Sequence, residues 1–224
     1  MDYCTTYPSD GILYHYSDMV LCAHSDTGFQ NESHGRSRDG AYIFLSENEA
    51  MPRWNGPVLT LAKIIKFVMS SVSEAELCAM FITAQEMVPM RKTLQEMKWP
   101  QLKYPLHTDN FASTGVVNNT IVPRKLKTMD RRLHWLRCRE SQGQFRYYWA
   151  SGNLNWGDYS TKHHPPSIKN QKDCYFQGIQ LDSKASSTSK VPARVYCSWL
   201  HVELTYTWNH HTLCMHGKVN TETS

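Results

Sequence analysis

Long apolar runs are missing from this sequence. None approaches the roughly 18 residues of a membrane-spanning helix, and the N-terminus carries Asp2 and Asp10 among several tyrosines where a secretory leader would be apolar. No two of the seven cysteines (Cys4, Cys22, Cys78, Cys138, Cys174, Cys197, Cys214) stand at C-x-x-C spacing. An odd, scattered set argues against a closed disulfide framework and points to reduced thiols, so a soluble intracellular protein with no membrane partner is expected. A Gly-x-x-x-x-Gly-Lys phosphate loop is absent, and so is the Tyr-x-Asp-Asp of a polymerase centre. Nor is there a large excess of one charge: 24 Lys and Arg face 20 Asp and Glu, a net +4, which permits a polyanionic partner without requiring one. With 224 residues, 41% of them hydrophobic, the chain can bury one substantial core but not two large ones.

What is present divides unevenly. Residues 1–18, broken by Pro8 and Gly11, read as a lead-in segment. The apolar run Met19–Ala23, then AYIFLS and NGPVLTLA, predict three strands separated by turn-rich polar stretches. Ser70–Glu86 has helical composition with serine caps ahead of Glu74, and the pattern predicts a break or kink at Pro89 before a further helical stretch to Met97. Lys103–Thr108 reads as a strand, FASTGVV as a short helix, Arg124–Glu140 as an amphipathic helix, FRYYWAS as a strand, and Asn155–His163 as a last helix stopped by Pro165-Pro166. The order βββαβαβα describes an α/β domain over residues 19–167. From 168 to 224 the composition shifts through SKASSTSK to an irregular tail.

Four acids stand where these elements change: Asp26 after the first apolar run, Glu76 early in the first helix, Asp109 after the fourth strand, Asp158 at the last helix. Carboxylates gathered at the ends of neighbouring elements repel one another unless a hard cation neutralises them, and oxygen-only ligation suits Mg²⁺ or Mn²⁺. Two such ions roughly 3.5 to 4 Å apart can activate a water and stabilise the leaving oxygen of a phosphodiester. Glu74 and Glu76 compete for one place, because residues two apart on a helix point about 200° apart.

HSD at 24–26, RSRDG at 36–40, SSVSEAEL at 70–77, TDN at 108–110, the Lys127–Arg137 helix and GDYSTK at 157–162 occur in that order over about three quarters of the chain. In these motifs the segment from Asp2 to Pro166 resembles the ribonuclease H domain of copia-type retrotransposon polyproteins, which follows the reverse transcriptase. The resemblance implies a five-stranded mixed sheet flanked by helices, and cleavage of the RNA strand of RNA–DNA hybrids with two Mg²⁺ or Mn²⁺ ions. It makes Asp26, Glu76, Asp109 and Asp158 the metal-binding catalytic acids. The family's Glu-Leu-x-Ala pattern selects Glu76 over Glu74, which is left as an N-terminal helix acid favoured by the dipole. The reverse transcriptase of the same element is an implied partner.

Departures from that family set an alternative beside it, a remnant that binds nucleic acid but cleaves poorly. The loop WASGNLNWGD lacks the histidine that many ribonucleases H place before the last acid, and His163 and His164 come after it. Gly157 replaces the usual alanine, a change expected to loosen the last helix by about 1 kcal/mol. Asp39 takes the place of a small residue in what reads as a turn. Nucleic-acid contact is expected of the basic segment Arg124, Lys125, Lys127, Arg131, Arg132, with Arg137 and Arg139, where seven cations face only Asp130. Tyr147, Tyr148 and Trp149 have the chemistry to stack on bases but read as core in a central strand. In the tail, Cys197, His201, His210, His211, Cys214 and His216 are zinc ligands by type, yet their spacing matches no zinc module.

Overall fold

In the computed structural model, which describes residues 10–121, 130–162, 177–178, 193–197, 202–209 and 212–219, the apolar run at Val20 grows into a 13-residue strand, β1 (Val20–Glu32). The chain reverses through Ser33–Gly35, with His34 and Gly35 at φ +63° and +66°, and returns antiparallel as β2 (Arg36–Ser46). β3 (Pro57–Ile64) pairs antiparallel with β2. Helix α1 (Val72–Glu96) then leads to β4 (Tyr104–Thr108), which lies parallel to β1. Helices α2 (Phe111–Val117) and α3 (Asp130–Ser141) precede β5 (Phe145–Trp149), parallel to β4, and α4 (Asp158–Thr161) follows. The sheet order is β3-β2-β1-β4-β5, the five-stranded mixed sheet flanked by helices that the resemblance implies.

β1 is central and covered on both faces, which is why its first nine residues are buried although His24, Ser25, Asp26 and Thr27 are polar. Leu21 and Ala23 face the helices and join Leu77, Met80, Leu106 and Tyr147 in one core. The alternate residues meet an aromatic layer. His24 stacks on His107 and Trp156, with ring centroids 4.8 and 4.7 Å apart, and Phe44, Tyr42 and Trp54 pack around Trp156.

Three sequence expectations change here. Asp26 does not end the first strand but lies inside it, and Asp39 is not in a turn but in β2, opposite Thr27. The Arg-Ser-Arg-Asp-Gly stretch looks like turn chemistry, yet its alternation places Ser37 and Asp39 inside and Arg36 and Arg38 further out. Helix α1 also runs on through Pro89. Proline removes one N–H and frees the carbonyl four residues back; Pro89 and that residue, Gln85, are both on the solvent side of the helix, while buried Ala84, Met87 and Leu94 hold it to the core.

The chain divides into two units, Ser17–Pro165 and Met1–Tyr16 with Pro166–Ser224. In the second unit, strands 193–197, 202–209 and 212–219 form an antiparallel sheet with Leu13–His15, and Asp10–Gly11 pairs with Gln177–Gly178. These strands stand where the composition predicts a lead-in and an irregular tail. Of the zinc-type residues, His201, His210 and His211 lie outside the described residues, as do His163 and His164. Among the described residues no helix is long and apolar enough to cross a membrane, and Cys22, Cys78 and Cys138 are unbridged.

Candidate metal centre

β1 and β4 pair only through Ala23↔Leu106 and His24↔His107. Two residues beyond that last pair stand Asp26 on one strand and Asp109 on the other. The strands have parted by then, and the N-terminal part of α1 closes the gap with Glu76. One carboxylate oxygen from each of Asp26, Glu76 and Asp109 lies within 4.8 Å of the other two. Three elements distant in sequence thus converge on one point, and only one of the three acids is half-open to solvent.

Two of the acids are held by hydroxyl donors. The Thr161 hydroxyl donates to Asp26 Oδ2, and the Thr108 hydroxyl donates to Glu76 Oε2 at 3.3 Å. Burial pushes the Asp26 carboxyl up to about 6; the Thr161 hydrogen bond works against this, and the charges of Asp158 and Asp109 add to it. Burial, then Asp26 and Asp109, raise Glu76 well above the usual carboxylate range, and burial followed by Asp158 raises Asp109. A trio that resists ionisation through burial and mutual repulsion, with oxygen donors only, fits a divalent metal site.

Glu74 is elsewhere. Ser71 caps α1 by accepting from the Glu74 N–H at 3.2 Å, and the Glu74 carboxylate turns back to accept from the Ser70 N–H and hydroxyl at 2.9 and 2.5 Å. Asn110 likewise caps α2, its side chain accepting from the Ser113 N–H at 2.9 Å, while Ser25 is fully buried.

Asp158 lies beside the trio and adds to the field on Asp26 and Asp109, with its carboxylate ion-paired to Lys162 one helical turn on. Burial alone would lower the Lys162 ammonium, but the bond to Asp158 and the neighbouring acids raise it. Helix α4 is only four residues long, so its seat comes from what precedes it. Trp156 is wedged into the aromatic layer, and Asn155 donates to Ser25 O at 3.0 Å while accepting from the Gly157 N–H at 3.1 Å.

Gly157 is not a loosening substitution here. A Cβ on it would stand 2.9 Å from Asp26 N and 3.1 Å from both Gly40 O and His24 O, all backbone atoms. One on Gly40, which pairs with Asp26 across the hairpin, would strike Thr161 Cγ2 at 2.4 Å and Ser160 Oγ at 2.6 Å. Two bare backbones therefore let α4 lie directly on β1 and β2. Gly157→Ala is expected to destabilise the domain by roughly 1–2 kcal/mol through overpacking, measured as a lower denaturation midpoint. An unchanged midpoint would mean the seam has slack. Asn155, Trp156, Gly40 and Thr161 escaped the sequence reading; Thr161 and Gly40 lie in quoted motifs, but nothing in their type announced a contact with Asp26.

The basic segment is only partly described: Arg124, Lys125 and Lys127 lie outside the described residues. Arg131 is exposed. The Arg132 guanidinium sits 4.0 Å over the Phe67 ring, Arg139 lies 4.9 Å over Trp135, and Arg137 donates to Val116 O at 2.6 Å. These three contribute to packing as well as to charge.

No protein-family model matches the chain. Over 153 residues, 68% of its length, it is 26% identical to the retrovirus-related Pol polyprotein from transposon TNT 1-94 of Nicotiana tabacum, and the match spans 11% of that polyprotein. Among solved structures, the N-terminal ribonuclease H domain of a Mycobacterium tuberculosis protein, fused to maltose-binding protein, aligns at 12% identity and TM-score 0.47, covering 64% of this chain and 91% of that one. A ribonuclease H1 isolated from compost by metagenomics aligns at 10% identity and TM-score 0.49, covering 63% and 92%. The sheet order and the trio at its parted strands define a ribonuclease H-like domain. Its sequence similarity is to a retrotransposon Pol polyprotein, of which the matched stretch spans about a tenth.

Proposed function

We propose that this domain hydrolyses the RNA strand of RNA–DNA hybrids, as a copia-type ribonuclease H, using two divalent cations, Mg²⁺ or Mn²⁺. The convergence of Asp26, Glu76 and Asp109 within 4.8 Å at the parting of β1 and β4 carries this reading. When bound, the cations supply Lewis acidity and lower the pKa of an attacking water. The chain's own residues supply the cradle. Thr161 and Thr108 each donate to one oxygen of an acid, and Asp158, ion-paired with Lys162, is the proposed fourth carboxylate.

Hybrid recognition rests on duplex shape and 2′-hydroxyl contacts. Arg131, with Arg124, Lys125, Lys127 and Arg132, is the proposed phosphate-contacting set, which makes binding salt-dependent. The reverse transcriptase of the same element is the proposed protein partner. The test is cleavage of a labelled hybrid in Mg²⁺ or Mn²⁺, beside chelator, single-stranded RNA and duplex DNA. Products only from the RNA strand of the hybrid, lost with chelator, are expected; no cleavage in either metal would sink the reading. A second reading, a nucleic-acid-binding remnant of low turnover, is favoured by Asp39, a fully buried acid with no hydrogen-bond partner on either oxygen.

A further inference from the structure

The trio has an aromatic border that the chemistry above does not use. Trp149, the last residue of β5, is 50% exposed, and Phe111, the first residue of α2, is 69% exposed. Isolated exposed apolar side chains are ordinary on protein surfaces. These two are tied to one acid, by a hydrogen bond to its backbone in one case and by sequence proximity in the other. The Trp149 indole N–H donates to the backbone oxygen of Asp109 at 2.9 Å, and Phe111 follows Asp109 by two residues. The third side of Asp109 is the 150–154 loop, where a Cβ on Gly152 would lie 3.1 Å from Asp109 Oδ2 and where Leu154 is again half-exposed.

Trp149 is therefore not exposed for want of a partner. Its one polar atom is tied to the residue that bears the acid, which fixes the ring at the rim while leaving its surface to solvent. The neighbouring tyrosines differ: Tyr147 is buried in the core, and Tyr148 stacks on His107 at 5.5 Å. Of the three aromatics that the strand sequence offers for stacking, only Trp149 ends at the metal centre. Aromatic rings are suited to the flat, neutral parts of a nucleotide rather than to its phosphate.

We propose that Trp149 and Phe111 form a nucleotide-binding wall, holding the base or sugar of the strand next to the phosphate that faces Asp109. This rests on the ribonuclease H reading for the identity of the strand and adds a binding role that the acids do not supply. Because base–aromatic stacking tolerates any base, the wall positions the strand without reading its sequence.

The test uses the full chain and one labelled RNA–DNA hybrid, with kcat and KM measured in Mg²⁺ and affinity measured by fluorescence anisotropy in Ca²⁺. Trp149→Ala and Phe111→Ala are expected to raise KM and Kd about tenfold with kcat changed less than threefold, whereas Trp149→Phe, which keeps a ring and loses the N–H, stays within about threefold of the parent. Phe111→Ala removes a side chain that is mostly in solvent, so it reports on binding even if Trp149→Ala disturbs folding. Unchanged affinity in both alanine variants would overturn the wall, and so would equal losses in Trp149→Phe and Trp149→Ala, which would assign the effect to the hydrogen bond. If the parent binds hybrid without cutting it, the ribonuclease reading fails while the affinity series still decides the wall; a parent that neither binds nor cuts overturns both.

Discussion

Asp109→Asn is expected to lower the rate of hybrid cleavage by at least about 10³-fold, a barrier increase of about 4 kcal/mol or more, with the domain still folded. Asparagine keeps the shape and removes the charge at the one acid of the trio that is half-open to solvent. Asp26→Asn should act alike on activity, because its carboxylate is one of the three that meet within 4.8 Å. Both changes should also raise the stability of the metal-free protein at neutral pH, since they delete a repelling charge from a buried cluster, and should shrink the stabilisation that added Mg²⁺ or Mn²⁺ confers on the parent. Activity measured beside thermal denaturation with and without metal checks all of this. Parent-like cleavage by either variant would remove that residue from the centre.

Asp39→Asn should stabilise the domain at pH 7 by about 2 kcal/mol, on the order of 5 °C in midpoint, an unusual sign for a change in a fully buried residue. Both oxygens of Asp39 are buried without partners between β2 and α1. Burial raises its pKa well above the usual range; Lys63 on β3 pulls it down, while Asp26 on β1 and Glu86 on α1 raise it further. Cys78 on α1 also feels the charge. The sign follows from linkage. A carboxyl whose folded pKa is raised binds protons more tightly in the folded state, so the parent loses stability as pH rises from the unfolded value, about 3.9, toward its folded one. The gain in Asp39→Asn should therefore be small near pH 4 and grow with pH. Asp26 and Glu76 titrate in both proteins, so the difference between the two denaturation curves reports Asp39 together with its coupling to Asp26; a difference that does not vary with pH would show that its charge is already compensated.

How far the sequence could be read depended on whether a residue's environment was local. Helix geometry is local, so it shows from sequence that Glu74 and Glu76 cannot share one place, while the choice between them comes from the family pattern; in the structure Glu74 turns back to Ser70 and Glu76 joins the trio. The mid-strand position of Asp26 was hidden because four polar residues follow Ala23, and their burial depends on packing against both faces of the sheet, including an aromatic layer drawn from residues 42 to 156 on the His24 side. Asp39 was misplaced for a similar reason: Asp-Gly favours turns locally, whereas pairing with Thr27 decides it. The close approach that makes Gly157 a fitted residue exists only once α4 meets β1. In the second unit the signal was present but unread, since Val202, Leu204, Tyr206 and Trp208 alternate with polar residues over a strand of that length.

That Asp26 lies within a long strand and not at its tip has a mechanical consequence. A side chain at a frayed end can drift by small steps, but Asp26, paired opposite Gly40 within the unbroken ladder from Val20 to Gly28, moves only if the strand slides, and a slide of one residue would turn the carboxylate to the opposite face of the sheet. The ladder thus works as a ratchet with two settings, seated or lost, and a register slip within Val20–Gly28 should extinguish the centre abruptly without weakening it by degrees.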